Sequence, residues 1–270
     1  LPVPGADQDQ PAVITTYSSY TMISRDLSKS LARVAEQPDV ARETEYYLAK
    51  IGDIKSVDDF MSDSRIYDYA LKAHGLEDMA YAKAFIRKVL TEGVDEKDAF
   101  ANQLSDSRYA SLVKSLNFST YGAAATAFDA AQKGVVDKFQ RQTLEEDAGA
   151  ENMGVRLALY FERNAPSIKS GMEILADDAL SQVVRTAFQM PDEIMAADID
   201  RQAAFIEDVI DIEDFQDPAK VGKFLERFTA MWELENPTDT YDPVKLFTPS
   251  SSGISTDLLI SINNLKLGGK

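Results

Sequence analysis

The chain has 270 residues, of which 44% are hydrophobic, with 45 Asp and Glu against 28 Lys and Arg, a formal net charge of −17 and no cysteine. Such a length and apolar share suffice for one large domain or two medium ones with a real core. The composition excludes disulfides, thiolate catalysis and cysteine-ligated metal centres, and so acidic a surface repels nucleic acid and anionic lipid while suiting neutral or basic proteins.

Residues 1–16 contain Pro, Asp and Gln and are expected to be disordered or vector-derived. No basic and apolar secretory leader is visible, and no apolar run approaches the roughly 18–20 residues that span a bilayer. A helix is predicted from about Ser18, with Leu27, Leu31 and Val34 at helical spacing, as far as the interruption at Pro38. A second covers Val40 to Ile51. Ser56, followed three positions on by Asp59, opens a short helix as a capping box and carries Phe60 and Met61. Asp63 is the expected N-cap of the next helix, whose core face is Ile66, Tyr69, Ala70 and Ala73 and which Gly75 stops. Ala82, Phe85, Ile86, Val89 and Leu90 mark a helix ending at Gly93, and residues 98–104 and 106–118 repeat the short-helix, capped-helix pattern.

Residues 119–133 are small and weakly patterned, which places a boundary there: 17–133 form a first helical half and 134–236 a second. The second half opens with the longest helical signal, about Val135 to Asn164, with a kink expected near Gly149 and Gly154. Phe224, Leu225, Phe228, Met231 and Trp232 form an amphipathic helix that Asn236-Pro237 stops. A Pro-, Thr- and Ser-rich linker, 237–253, leads to a C-terminal helix within 254–270, capped by Ser255 or Thr256 and carrying Leu258, Leu259, Ile262 and Leu265.

The fold class read from this is all-α, a multi-helix body built from an internal tandem duplication. Displaced by 114 positions, Arg42–Asp78 falls on Arg156–Asp192 without a gap. Tyr46 then meets Tyr160, Ile54-Lys55-Ser56 meets Ile168-Lys169-Ser170, Asp63 meets Asp177 and Ala73 meets Ala187. Asp63, Asp106, Asp177 and Asp217 each follow an apolar residue by two positions and precede an apolar face, the mark of a short helix, a tight turn and an Asp-capped helix. No D-x-D-x-D-G loop surrounds any of them, so calcium lacks its cage.

Chemistry is sparse. His74, the one histidine, stands just before Gly75 at a helix end, where a cationic side chain suits the dipole. No G-x-S-x-G elbow accompanies it, and one histidine cannot supply two Glu-x-x-His motifs. Neither phosphate-cradling glycine loop occurs. The acid runs Glu145-Glu146-Asp147, Asp58-Asp59 and Asp177-Asp178 read as solvated helix faces, because neighbouring residues on a helix point apart. Trp232 reads as core. The residues therefore assign no catalytic, cofactor-binding or metal-ligating position, and no cofactor.

Several runs resemble a known family: Tyr17-Ser18-Ser19-Tyr20 through Arg25-Asp26-Leu27, Asp78-Met79-Ala80-Tyr81-Ala82-Lys83-Ala84-Phe85, Glu145-Glu146-Asp147-Ala148-Gly149, Gly154-Val155-Arg156-Leu157-Ala158-Leu159-Tyr160-Phe161 and Gly253-Ile254-Ser255-Thr256-Asp257-Leu258-Leu259. Together they resemble the alphaproteobacterial domain of unknown function 1217 family over about Tyr17 to Leu265. The resemblance implies a protein linked to the flagellum, since members are often encoded among flagellar genes, and it brings no catalytic residues. The expectation is a non-enzymatic flagellum-associated helical protein that binds protein partners, flagellar components among them, through 18–35 and 254–267. The alternative is a cytoplasmic adaptor or chaperone for a flagellar export substrate, and an enzyme without a recognisable motif stands third. Either location, bacterial cytoplasm or export with the flagellum, fits a chain without a membrane span.

Overall fold

The first helix predicted from the sequence is in fact two. In a computed structural model that describes residues 15–237, α1 (Thr16–Arg25) and α2 (Leu27–Ala35) are separated by Asp26. The Asp26 carboxylate accepts the N–H of Lys29, so this residue ends one helix and caps the next. Pro38 opens α3 (Pro38–Lys50), where its missing N–H is one that a helix leaves unpaired anyway. There follow α4 (Val57–Ser62), α5 (Ser64–Ala73), α6 (Lys83–Glu92), α7 (Phe100–Gln103), α8 (Ser107–Ser115) and α9 (Phe118–Tyr121). Ser56 accepts the N–H of Asp59 at 3.1 Å, Asp63 those of Arg65 and Ile66, and Asp106 that of Arg108. Gly75 and Gly93 end α5 and α6 with φ of +67 and +78, a conformation glycine adopts at little cost.

The long signal of the second half also breaks, into α10 (Lys133–Glu151) and α11 (Met153–Asn164). The break falls at Asn152, between the two glycines at which a kink was expected. Its side-chain oxygen takes the N–H of Gly154 at 2.8 Å and of Val155, so the helix restarts instead of bending. Then come α12 (Gly171–Leu175), α13 (Asp178–Phe188), α14 (Asp192–Met195), α15 (Ile199–Val209) and α16 (Pro218–Glu235), with Asp177 capping α13 and Asp217 accepting the Ala219 N–H. Among the described residues every regular element is helical. The fold is all-α. The expected C-terminal helix and all of the linker but Pro237 lie outside the described residues, as do residues 1–14.

Within the compact unit Ile14–Glu235, the buried apolar side chains form two clusters. The first centres on Tyr47, Phe60, Ile66, Leu71, Ile86 and Leu112, each removed from water, a change worth roughly 2 kcal/mol per large apolar side chain. It takes Val135, Val136, Phe139 and Leu144 from α10, so it runs past the change of composition at 119–133. The second is built on α11, α13, α15 and α16 around Phe161, Val184, Ile206 and Phe228, and it includes Tyr20 of α1. The N-terminal helix thus lies on α11 and α16. The Thr16 hydroxyl and backbone N–H donate to Glu233, and Ser24 donates to Glu162 at 2.6 Å.

Some contacts occur twice, 114 residues apart. Tyr46 donates its hydroxyl to Asp63 at 2.8 Å, and Tyr160 donates to Asp177 at 2.6 Å. Ser56 accepts from the Asp59 N–H, and Ser170 from that of Glu173. The acid in each case reaches back to a lysine backbone N–H, that of Lys55 at 3.0 Å and of Lys169 at 2.8 Å. A single 3-10 turn precedes each box, Ile51–Asp53 and Ala165–Ser167.

Candidate functional site

Three places gather polar side chains, and the first surrounds His74. The fold places His74 at the helix end, but buried and neutral where a cationic ring would suit the dipole. His74 caps α5 but is buried, its Nδ1 donating to the Ala70 carbonyl at 2.8 Å. That bond leaves Nε2 as an acceptor, 3.0 Å from the Ser115 hydroxyl of α8 and 3.1 Å from the Lys138 ammonium of α10. Burial first, and then Lys138, push its pKa down to about 3, so the ring is neutral. Lys138 itself is pushed down to about 8, by burial and then by Arg163 and Lys114. The ammonium also donates to Ser115 at 2.7 Å and Ser111 at 3.2 Å. Serine beside a lysine of lowered proton affinity is a pairing that nucleophilic sites use. Here, however, Ser115 is 5% exposed, and the three donors of the ammonium already meet three acceptors.

The second place holds the acid run read as a solvated face. Glu145 is 1% exposed, set between Arg141 and Arg163 at 2.8 Å each. Arg141 also donates to the Leu159 carbonyl at 2.8 Å, which ties α10 to α11. Glu146 pairs with Lys72 of α5 at 2.8 Å, and Asp147 accepts from Gln37 at 2.8 Å. The run is therefore the polar seam of the body. Its acids point in three directions, as consecutive helical positions must, but each finds a partner there.

The third place is a groove of about 530 Å³ between α3 and α5, with α10 beneath. Its floor is aromatic: Tyr69 stacks on Phe139 at 3.9 Å and 9°, and on Tyr47 at 4.4 Å. Its two cations are engaged, Arg65 with Glu43 at 3.1 Å and Lys72 with Glu146. Asp39, Asp68 and Glu77 are exposed on its walls, and their carboxylates form no ion pair or hydrogen bond. The buried Thr143 hydroxyl also lacks a hydrogen-bond partner, and Thr143 lines the groove. A shallower neighbour of about 540 Å³ is lined by Asp53, Asp59, Asp63 and again Arg65. Among the described residues no group of three or more Asp, Glu or His is placed to hold a metal ion, and no helix is long and apolar enough to cross a membrane. Trp232 of α16 is partly buried against Phe228 and over Gly154.

The family described as "Protein of unknown function (DUF1217)" matches residues 73–221, more than half of the chain. The chain belongs to DUF1217. A crystal structure of a protein from Agrobacterium tumefaciens, an alphaproteobacterium, is 64% identical, with a TM-score of 0.78, covering 88% of this chain and 99% of that one. No curated protein matches. The DUF1217 match spans His74, Lys138 and the Glu145 seam, whereas Asp39 and Asp68 of the groove precede it.

Proposed function

We propose that this protein is a non-enzymatic helical body that works by binding other proteins, in the flagellar setting that the family resemblance implies. The observation that supports this most directly is the acid-walled groove. It offers unpaired charge to solvent above a buried aromatic floor, while the His74–Ser115–Lys138 cluster is closed upon itself. Affinity capture of the tagged chain from motile cells, read by mass spectrometry and paired with localisation, is the test. Rod, hook or filament proteins among the specific partners are expected. Capture of cytoplasmic enzymes alone, with swimming unchanged on deletion, would sink the reading. The strong acidity also suits a cytoplasmic adaptor that shields an export substrate, and fractionation separates the two: sheared filaments carry an exported component, the cytoplasm an adaptor.

The same proposal extends to how the body arose, as two copies of one helical unit. The paired Tyr–Asp bonds and the paired capping boxes support it, since each needs specific residues at one spacing and both recur at one offset. By crystallography, α3–α5 and α11–α13 should superpose as a unit. A different crossing of these helices in the two places would overturn the duplication.

A further inference from the structure

The groove between α3 and α5 has a counterpart in the second half, and that counterpart is covered. Val40 and Lys72 line the groove, and the residues 114 positions on are Gly154 and Thr186. Gly154 lies under Trp232: a Cβ there would come within 2.4 Å of the indole ring. Thr186 donates to Glu235 at 3.5 Å, and the neighbouring Ala187 carbonyl accepts from Arg227 at 2.6 Å. All three covering residues belong to the last turns of α16, which has 18 residues; α8, which its Asp-capped start matches, has 9. The second half thus lays the end of its own helix, carrying one large aromatic anchor, over this face, whereas in the first half Val40, Tyr69 and Phe139 are buried at the base of a groove that no helix end fills.

We propose that the open groove is the docking site for an amphipathic helix of a protein partner, one that presents a bulky apolar anchor to the Tyr69–Phe139 floor and a basic edge to Asp39, Asp68 and Glu77. Helix-in-groove recognition of this kind places anchors at i, i+3 or i+4 and i+7. The charge of the occupant follows from the walls: both groove cations are already paired with carboxylates, and three carboxylates are left over. Basic side chains steer toward such walls, and an acidic helix is repelled.

This inference rests on the protein-contact reading above. Its test uses the full chain and two labelled 18-residue amphipathic peptides, each with one tryptophan on its apolar face, one with four flanking lysines and the other with glutamates in their place. Fluorescence anisotropy is expected to show binding of the basic peptide and at least tenfold weaker binding of the acidic one. The variant D39N/D68N/E77Q should lose at least tenfold in affinity, and the equally neutralised control D192N/E193Q/D208N, on exposed positions of the second half, should lose almost none. Failure of the basic peptide to bind overturns the proposal, and equal loss in the two variants overturns it by reducing the effect to bare net charge. Cellular capture then separates the two levels. Flagellar partners kept by D39N/D68N/E77Q leave the contact reading standing and remove the groove; a wild-type chain that captures no flagellar partner removes the contact reading itself.

Discussion

Twice the second half of the molecule has glycine where the first half, 114 residues earlier, has valine. Val40 stands against Gly154, and Val57 against Gly171. The reason is visible at each place. A Cβ on Gly154 would meet the Trp232 ring, and one on Gly171 would lie 2.7 Å from the carbonyl oxygen of Ala203 on α15. The second half is drawn together more closely, with α16 lying over α11 and α15 against α12, so side chains give way to backbone contact. The first half keeps its valines and has an acid-walled groove above a buried floor. Local turns and caps agree between the halves while the covering helices do not, so what differs is the part of the structure set by long-range packing.

The largest effect is expected where the two clusters meet. Removing Glu145 leaves Arg141 and Arg163 facing each other without their shared carboxylate. Breaking a buried ion network from one side costs roughly 3–5 kcal/mol, with the lower end expected because Arg163 is part-exposed. Urea denaturation of Glu145→Ala should show a loss of about 3 kcal/mol and a broadened or split transition as the clusters uncouple. A loss under about 1 kcal/mol would mean that solvent already satisfies the seam.

Gly171→Val sets the second half to the residue of the first. The nearest obstacle to its Cβ is backbone, which cannot rotate aside, so α12 and α15 must separate at a cost of about 2–3 kcal/mol. The reverse change, Val57→Gly, meets no such clash and loses only packing and helix propensity, about 1 kcal/mol. Equal losses in the two variants would dissolve the contrast between a closed and an open half.

A third difference concerns protons. The position 114 residues after His74 is Phe188, which stacks on Phe224 with the Arg227 guanidinium 4.5 Å from its ring. The pH dependence should therefore belong to the first half. His74 is held near 3 in the fold against an ordinary value near 6.5, so below 6.5 the unfolded chain binds a proton that the folded one does not. Stability from this group is complete above pH 6.5 and is lost as pH falls toward the folded value. Between pH 7 and pH 5 the loss is about 2 kcal/mol. With a single histidine in the chain, no second imidazole blurs that window. His74→Gln should flatten the slope of stability against pH between 5 and 6.5, and an unchanged slope would show that the ring is accessible to protons in the fold.

What was legible in the sequence was mostly local. Ser56, Asp63, Asp106 and Asp177 were readable as caps because a cap joins a side chain to a backbone N–H two or three residues away. Asp26 and Asn152 have the same chemistry, but apolar periodicity continues on both sides of each, so the helices were read through them. The fate of Glu145 was not legible, since its two guanidinium partners include one 18 residues on in another helix. Nor was the neutral state of His74, which depends on Lys138 from 64 residues away. The groove gathers Asp39, Asp68 and Glu77 from separate segments, each of them an ordinary exposed acid in its own stretch of chain. The family was legible because its runs are long and specific.

The smallest effect tests the feature that the halves share. Tyr160 and Tyr46 make the same bond to the capping aspartate of the next helix but one, yet in different surroundings. Burial is the first cause that raises the Tyr160 hydroxyl pKa, followed by Asp177; for Tyr46 the hydrogen bond to Asp63 comes first. A hydrogen bond to a carboxylate strengthens as water is excluded, and its loss strands the acceptor. Tyr160→Phe should therefore cost about 1 kcal/mol in urea denaturation. Tyr46→Phe should cost less, because solvent reaches Asp63 and the Arg65 guanidinium, 3.7 Å from the Tyr46 ring, keeps its stacking on phenylalanine. If the two substitutions cost the same, the shared bond is a local device indifferent to its cover, and the closed and open halves differ only where helix α16 reaches.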